Sequence, residues 1–315
     1  MSLSTPVGFL IFNRPDLTEQ VFAAISQAKP KKLFVIADGA RHPEEVEKCE
    51  QTRAVIEKVD WDCEVLTNFS DTNMGCGRRE ASGFDWVFSQ VEEAIFLEDD
   101  TLPAPSFFHF CEAMLDRYRD DDRIMHINGD NSYNQDRTEY GYYFSKYMHG
   151  WGWASWRRAW QHYDYSMRTW AQFKHEGMFE LVCDCPYEQK YWTEILDQMY
   201  EDPQVIDTWD YQWMYACWSQ AGLAIAPSKN LISNLGFNRA DAAHTVGDDP
   251  RSKLSTADMW SIEHPPFVVR HRVADLHTFD YVFGGKGMKE HDIEQRKLSA
   301  KIRRRLSSIK QLITT

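Results

Sequence analysis

Short apolar runs punctuate the first 130 residues of the chain: VGFLIF (7–12), KLFVIADG (32–39), CEVLTN (63–68), AIFLED (94–99) and IMHING (124–129). The stretches between them carry apolar residues at helical spacing. Strands alternating with helices predict a parallel sheet joined by crossover helices. The first and fourth runs are nearly unbroken by polar residues, so they are expected in the middle of the sheet, covered on both faces. RPDLTEQVFAAISQA reads as a helix with Asp16 or Thr18 as its cap. PSFFHFCEAMLDRY places Phe107, Phe108, Cys111, Met114, Leu115 and Tyr118 on one helical face.

Beyond residue 130 the alternation gives way to aromatic-rich segments, GWGWASWRRAW (150–160) and DTWDYQWMYACW (207–218). In the first, Trp156 and Trp160 lie four apart and read as one buried helical face; the second reads as a helix starting near Trp209. LAIAPSKNLISNLGF (223–237) suggests one or two more strands, followed by a loop, NRADAAHTVGDDP. From Glu290 onward a basic helix is predicted, with Leu298, Ile302, Leu306, Ile309 and Ile313 recurring at helical spacing. No repeat, linker or low-complexity tract interrupts the chain.

The ends of the predicted strands share a chemistry. They read Asn13-Arg14, Asp38-Gly39, Asn68 to Asn73, Glu98-Asp99-Asp100 and Asn128-Gly129-Asp130. Ligands of such sheets sit beyond the carboxyl ends of the strands, so these polar groups mark the expected binding edge. With 315 residues, 43% of them hydrophobic and 14% aromatic, the chain can build a large core. A net charge of -13 opposes attraction to phosphate backbones, so nucleic acid is not an expected partner. The seven cysteines form no CxxC pair, and Cys183 and Cys185 in CDC make a poor zinc knuckle. They are expected as reduced thiols of a cytoplasmic protein. MSLSTPVGFLIFNRP lacks a charged start and has too short an apolar run for a secretion signal or a membrane span.

Adjacent carboxylates repel, and holding Glu98, Asp99 and Asp100 together at the end of a buried strand calls for a cation. Oxygen-rich donors suit magnesium or manganese; the plainer reading is a solvated acidic turn. In extended geometry Glu98 and Asp100 share one side and Asp99 faces the other. The first strand runs into NRPD, with neither GxGxxG nor GxxxxGK[ST], which argues against a dinucleotide enzyme or a phosphate-loop kinase.

Taken in order, the motifs across residues 6–245 resemble those of GT-A glycosyltransferases, especially the inverting bacterial members similar to family two and to N-acetylglucosaminyltransferase I. VGFLIFNRPDLT resembles the opening strand and turn, VIADGAR the second strand, NFSDTNMGCGRRE the NxG segment and FLEDDTLP the DxD-type signature. The resemblance implies donor contacts from Asn13, Arg14, Asp38, Asn73, Arg78, Arg79, Glu98 and Asp99. It implies Asp100 as a metal ligand, with His244 of SNLGFNRADAAHT as a second. The second-strand segment departs from the family pattern, carrying a single Asp before GAR. Asp210 in TWDYQW is expected as the general base, with Asp207 and Asp130 as alternatives; an ordinary helix cap would also explain it. Trp151 and Trp153 are expected to face an acceptor sugar.

The expectation is thus an α/β fold with a mostly parallel central sheet flanked by helices and a small acceptor-side elaboration. A GT-A domain would span 1–250, with a nucleotide-sugar half to about residue 130 and an acceptor half from 131 to 250. Residues 251–315 would form an extension ending in the basic helix. The expected activity is metal-dependent, inverting transfer of a sugar from a UDP- or GDP-sugar to a hydroxyl of a glycan or lipid-linked acceptor. The basic helix reads either as a solvated helix packing through its leucine and isoleucine stripe or, more sharply, as a peripheral contact with the inner face of a membrane. The rivals are a sugar-nucleotide pyrophosphorylase-like enzyme, which would want a glycine-rich basic loop after strand one, and a non-catalytic carbohydrate-binding module.

Overall fold

The computed structural model describes residues 2–131, 138–239, 241 and 250–313. The five early strands form where the apolar runs place them: β1 (Val7–Ile11), β2 (Lys32–Ala37), β3 (Glu64–Phe69), β4 (Glu93–Glu98) and, after a short β5 (Thr101–Pro103), β6 (Ile124–Asn128). Later come β7 (Tyr142–Ser145), β8 (Trp153–Trp156), β9 (Leu223–Pro227) and β10 (Ile232–Asn234). Among the described residues eight strands make one sheet in the order β3-β2-β1-β4-β8-β6-β9-β7, and β10 pairs with β5 apart from it. β1 lies parallel to β2 and β4, with Phe9 beside Val35 and Leu97. β1 is buried along its whole length and β4 along its centre, whereas β3 at the edge is largely exposed.

The sheet departs from the simple five-strand reading at one place. β8 runs antiparallel between β4 and β6, so the fifth apolar run is one strand removed from the fourth. The aromatic segment 150–160 therefore divides. Trp153–Trp156 is strand, and only Arg157–Trp160 turns into helix, so Trp156 and Trp160 do not share a helical face although both are buried. The β-branched and aromatic bias that fits a pleated surface is indistinguishable from a helical stripe over so short a run.

Alternation along the strands feeds two core layers. Val7, Phe9, Val35, Ile95 and Leu97 pack on one face beneath α1 (Pro15–Ala28) and α4 (Phe107–Arg117), with α2 (Val46–Ala54) alongside α1. Leu10, Phe34, Ile36 and Phe96 pack on the other against α3 (Cys76–Phe88). The same layer holds α5 (Arg157–Trp160), α6 (Trp170–His175), α7 (Met178–Val182), α8 (Pro186–Glu201) and α9 (Asp210–Ser219). Each fully buried large side chain contributes about 1.5–3 kcal/mol, so these layers carry the fold. α4 buries Phe107, Phe108, Cys111, Met114 and Leu115, as its spacing predicts. α1 has no side-chain cap: Pro15 opens it, and the Thr18 hydroxyl instead donates back to the Arg14 carbonyl at 2.8 Å.

Residues beyond 250 return to the sheet. The backbone N–H of His271 donates to the Phe144 carbonyl of β7 at 2.7 Å, and α10 (Arg272–Tyr281) buries Phe279 in the second core layer. α11 (Gly285–Ile313) begins five residues ahead of the expected Glu290. Among the described residues no helix is long and apolar enough to cross a membrane. The seven cysteines are unpaired thiols.

Candidate active site

A cleft of about 510 Å³ opens at the carboxyl edge of the parallel strands, where the sequence places its polar strand ends. Residues following β1, β2, β4 and β6 meet there with the loop entering β8 and the start of α9. The β5–β10 ribbon closes one side. Leu235 donates its N–H to the Asp100 carbonyl at 2.7 Å, and a Cβ on Gly236 would lie 2.4 Å from the Asp100 carboxylate, so only glycine lets that strand-end loop approach so closely.

The acidic tip is not extended. β4 stops at Glu98, and the chain turns through Asp99 and Asp100; the Thr101 hydroxyl ties that turn by accepting from the Glu98 N–H at 2.8 Å and donating to the Glu98 carbonyl at 3.1 Å. Asp99 and Asp100 therefore converge instead of facing opposite sides. Both pair with Arg14, whose Nη1 lies 2.9 Å from Asp100 Oδ2 and whose Nη2 bonds Asp99 Oδ1. The cation beside these carboxylates is thus first a guanidinium from the β1 turn, and Arg14 is committed to them. Burial raises Asp99 to about 6 even though Arg14 pulls it down, and burial with Glu80 and Asp100 nearby raises Glu98 well above the usual carboxylate range.

Several expected donor contacts are occupied by the protein itself. Asp38 accepts from the N–H groups of Gly39 (2.9 Å) and Met74 (3.0 Å) and from Asn73 Nδ2 (2.9 Å), so Asp38 and Asn73 fix the turn between β3 and α3. Burial outweighs those donors and leaves the Asp38 carboxyl raised. Asn13 donates to Glu45 at 2.9 Å. Arg79 is buried and struts the ends of β2 and β3 through the Ala37 and Asn68 carbonyls, while still lining the cleft. Arg78, one residue earlier on the helix, is exposed, with its guanidinium 5.8 Å from the Tyr165 ring, and does not line the cleft. Asp207 caps α3, accepting from the N–H groups of Cys76 (2.9 Å) and Gly77 (2.8 Å); Gly75 adopts φ 81° there, and a Cβ would press within 2.9 Å of that carboxylate.

The opposite wall is aromatic and acidic. Asp210 lines the cleft at the first turn of α9 and accepts from the Thr208 hydroxyl at 2.5 Å. Trp151 lines the cleft, edge-on to Phe237 and beneath Arg251 at 4.9 Å. Trp153 does not serve the acceptor role expected of it. It is 1% exposed and stacked on Phe96 and Trp209, because β8 turns it into the second core layer and leaves no face for a sugar.

Two cleft residues are not singled out by the sequence reading. Glu80 lies one helical turn after Cys76 and accepts from its thiol at 3.1 Å. Burial, reinforced by the Asp210 and Asp100 charges, raises its carboxyl to about 8. His149 pairs through Nδ1 with Asp130 at 3.0 Å and leaves Nε2 buried with no hydrogen-bond partner among the described residues. The helical spacing of Cys76 and Glu80 could have flagged the first, but only once the inward face of α3 was known.

Among the described residues no group of three or more His, Cys, Asp or Glu side chains is arranged to hold a metal ion. His244 lies outside the described residues. One feature does fit an ion: Asp100 Oδ1 is buried and has no hydrogen-bond partner among the described residues, while its sister oxygen is taken by Arg14. A divalent cation of the magnesium type needs only one or two protein carboxylates when ligand phosphates complete its shell.

No family model and no curated protein sequence matches the chain. Among solved structures, a similar one is S. aureus TarS 1–349, at 12% identity and a TM-score of 0.45, covering 74% of this chain; the chain spans 60% of that protein fragment. The galactosyltransferase LgtC, in a complex with donor and acceptor sugar analogs, is similar at 12% identity and a TM-score of 0.38, covering 82% of this chain and 85% of its own. The inositol-1-phosphate CTP transferase from T. maritima is similar at 10% identity and a TM-score of 0.32, covering 51% of this chain and 74% of its own.

Proposed function

We propose that this protein is a glycosyltransferase that moves a sugar from a nucleoside diphosphate donor, a UDP- or GDP-sugar, to a hydroxyl of a glycan or glycolipid. The observation that carries this reading is the charge balance of the cleft around Asp100. Among the described residues it is lined by nine acidic side chains (Asp38, Glu80, Glu98, Asp99, Asp100, Asp130, Asp207, Asp210 and Asp241) and four arginines (Arg14, Arg41, Arg79 and Arg251), so acids outnumber guanidiniums even with Glu80 and Glu98 holding their protons. A diphosphate would be repelled from such a site unless a cation came with it. Asp100 Oδ1, buried and without a hydrogen-bond partner among the described residues, is the group that would hold that manganese or magnesium ion, with His244 as the second ligand implied by the sequence resemblance. When bound, the ion neutralises the charge that gathers on a departing diphosphate.

The protein's own residues supply the rest. Arg14 keeps Asp99 and Asp100 fixed at the strand tip, and Arg41 stands at the mouth of the cleft beside Glu45. Trp151 offers an aromatic face for the apolar side of an acceptor ring. Direct attack by the acceptor hydroxyl inverts the anomeric centre and requires a proton acceptor within hydrogen-bond reach; Asp210 is the carboxylate indicated by the sequence. The partner surface is proposed to be an anionic bilayer. From Gln295 to the end the chain carries seven Lys and Arg and no acid, and Leu298 and Ile302 on α11 are half exposed.

A thermal-shift titration tests the reading. Manganese together with UDP or GDP is expected to raise the melting temperature more than the sum of either alone, and Asp100→Ala is expected to abolish the coupled part. A coupled shift that survives Asp100→Ala removes the metal assignment.

A further inference from the structure

We propose that His149, positioned by Asp130, takes the proton of the incoming hydroxyl in place of Asp210. The inference rests on the glycosyl-transfer reading and deepens it by naming the group that activates the acceptor.

Two polar residues lie in the middle of the core. β6 reads Ile124, Met125, His126, Ile127, Asn128, and both His126 and Asn128 are fully buried. Buried polar groups cost free energy unless they are paired, so their partners show what they are there to hold. Trp213 Nε1 donates to His126 Nδ1 at 3.0 Å, which leaves the imidazole proton on Nε2, and Nε2 donates to the carbonyl of His149 at 3.0 Å. Burial lowers His126 to about 3, so it stays neutral and keeps this tautomer. Asn128 Nδ2 donates to the Tyr147 carbonyl at 3.1 Å, and its Oδ1 accepts from the His149 N–H at 2.8 Å. Two strand residues thus clamp the backbone of the loop from Tyr147 to His149 at the same sheet edge that carries the acidic tip of β4.

The clamped loop aims one imidazole. His149 Nδ1 lies 3.1 and 3.0 Å from the two oxygens of Asp130, a buried carboxylate two residues beyond the end of β6. A carboxylate can only accept there, so Nδ1 carries the proton and Nε2 presents a lone pair. That Nε2 is buried, lacks a hydrogen-bond partner among the described residues, and belongs to a side chain lining the cleft. A base oriented by a third group, with its reactive nitrogen unengaged, is the arrangement that activates a hydroxyl. Asp210 is differently placed: it accepts from Thr208 and sits in the first turn of α9, where its charge already complements the helix terminus.

In the step proposed, the acceptor oxygen bonds to the anomeric carbon as the bond from that carbon to the β-phosphate oxygen breaks. The bonding pair leaves with the diphosphate, the hydroxyl proton moves to His149 Nε2, and the resulting imidazolium pairs with Asp130. His149 is the catalytic residue of this step, and Asp130 is a positioning residue.

His149→Gln, Asp130→Asn and Asp210→Asn are compared with wild type in a nucleotide-sugar transfer assay, beside the melting shift given by manganese with the nucleotide. His149→Gln is expected to lower kcat about a hundredfold or more while keeping donor KM within about threefold and retaining the melting shift. Asp130→Asn is expected to lower kcat and displace the pH profile. Histidine-selective nitrogen NMR of wild type is expected to show the Nδ1–H tautomer at His149. Turnover within threefold of wild type in His149→Gln, or an imidazole protonated at Nε2, overturns the assignment alone. Wild-type protein that turns over no nucleotide sugar overturns the glycosyl-transfer reading, and this assignment with it.

Discussion

Replacing Glu80 by glutamine isolates the electrostatic cost of the cleft. Glu80 sits on α3 in the wall of the cleft, and burial raises its carboxyl from 4.5 to about 8. Below about pH 4.5 the folded and unfolded chains both hold this proton, and the group adds no pH dependence. Between about 4.5 and 8 the unfolded chain has released it and the folded chain has kept it. Unfolding therefore releases a proton, and stability falls as pH rises through this window. A displacement of that size corresponds to about 5 kcal/mol when fully expressed. Asp210 and Asp100 contribute to that displacement, and Glu98 is raised alongside, so removing Glu80 alone is worth about 2–5 kcal/mol. Glu80→Gln keeps the shape and discards the titration. It is expected to match wild type near pH 5 and to exceed it by about 4–10 °C in melting temperature at pH 9, at about 2 °C per kcal/mol. Calorimetric melting from pH 5 to 9 in chelator reads this directly. Parallel curves for the two proteins would refute the reasoning, because they would mean that Glu80 is ionised in the folded state at neutral pH.

Arg14→Ala strands Asp99 and Asp100 without their buried partner and is expected to cost about 3–5 kcal/mol at pH 7, less at pH 5 where Asp99, raised to about 6, takes up a proton; urea midpoints at the two pH values check both the loss and its direction. Full-length protein is expected to float with vesicles rich in phosphatidylserine and to be released by high salt, whereas a chain ending near Glu290 stays in the dense fraction. Equal flotation of the two chains would remove the membrane proposal.

The strands and helices of the first half were legible because each is written in local periodicity. The apolar run of β1 and the spacing in PSFFHFCEAMLDRY dictate burial whatever the rest of the chain does. The convergence of polar strand ends on one edge was equally legible, since it follows from a parallel sheet. The tertiary structure decided which groups meet at that edge. Arg14 reaches Asp99 and Asp100 across separations of 85 and 86 residues, and Asp207 caps α3 from 130 residues away at Gly77. Those pairings turned expected ligand contacts into struts and caps. β8 fits between β4 and β6 through hydrogen bonds that no sequence window contains, and its insertion took Trp153 from the acceptor side into the core. The same insertion brought His149 beside Asp130 across 19 residues. Periodicity fixes which face of an element is buried; which buried polar atom finds a partner, and which is left open to a ligand, depends on distances set only when all the elements have packed.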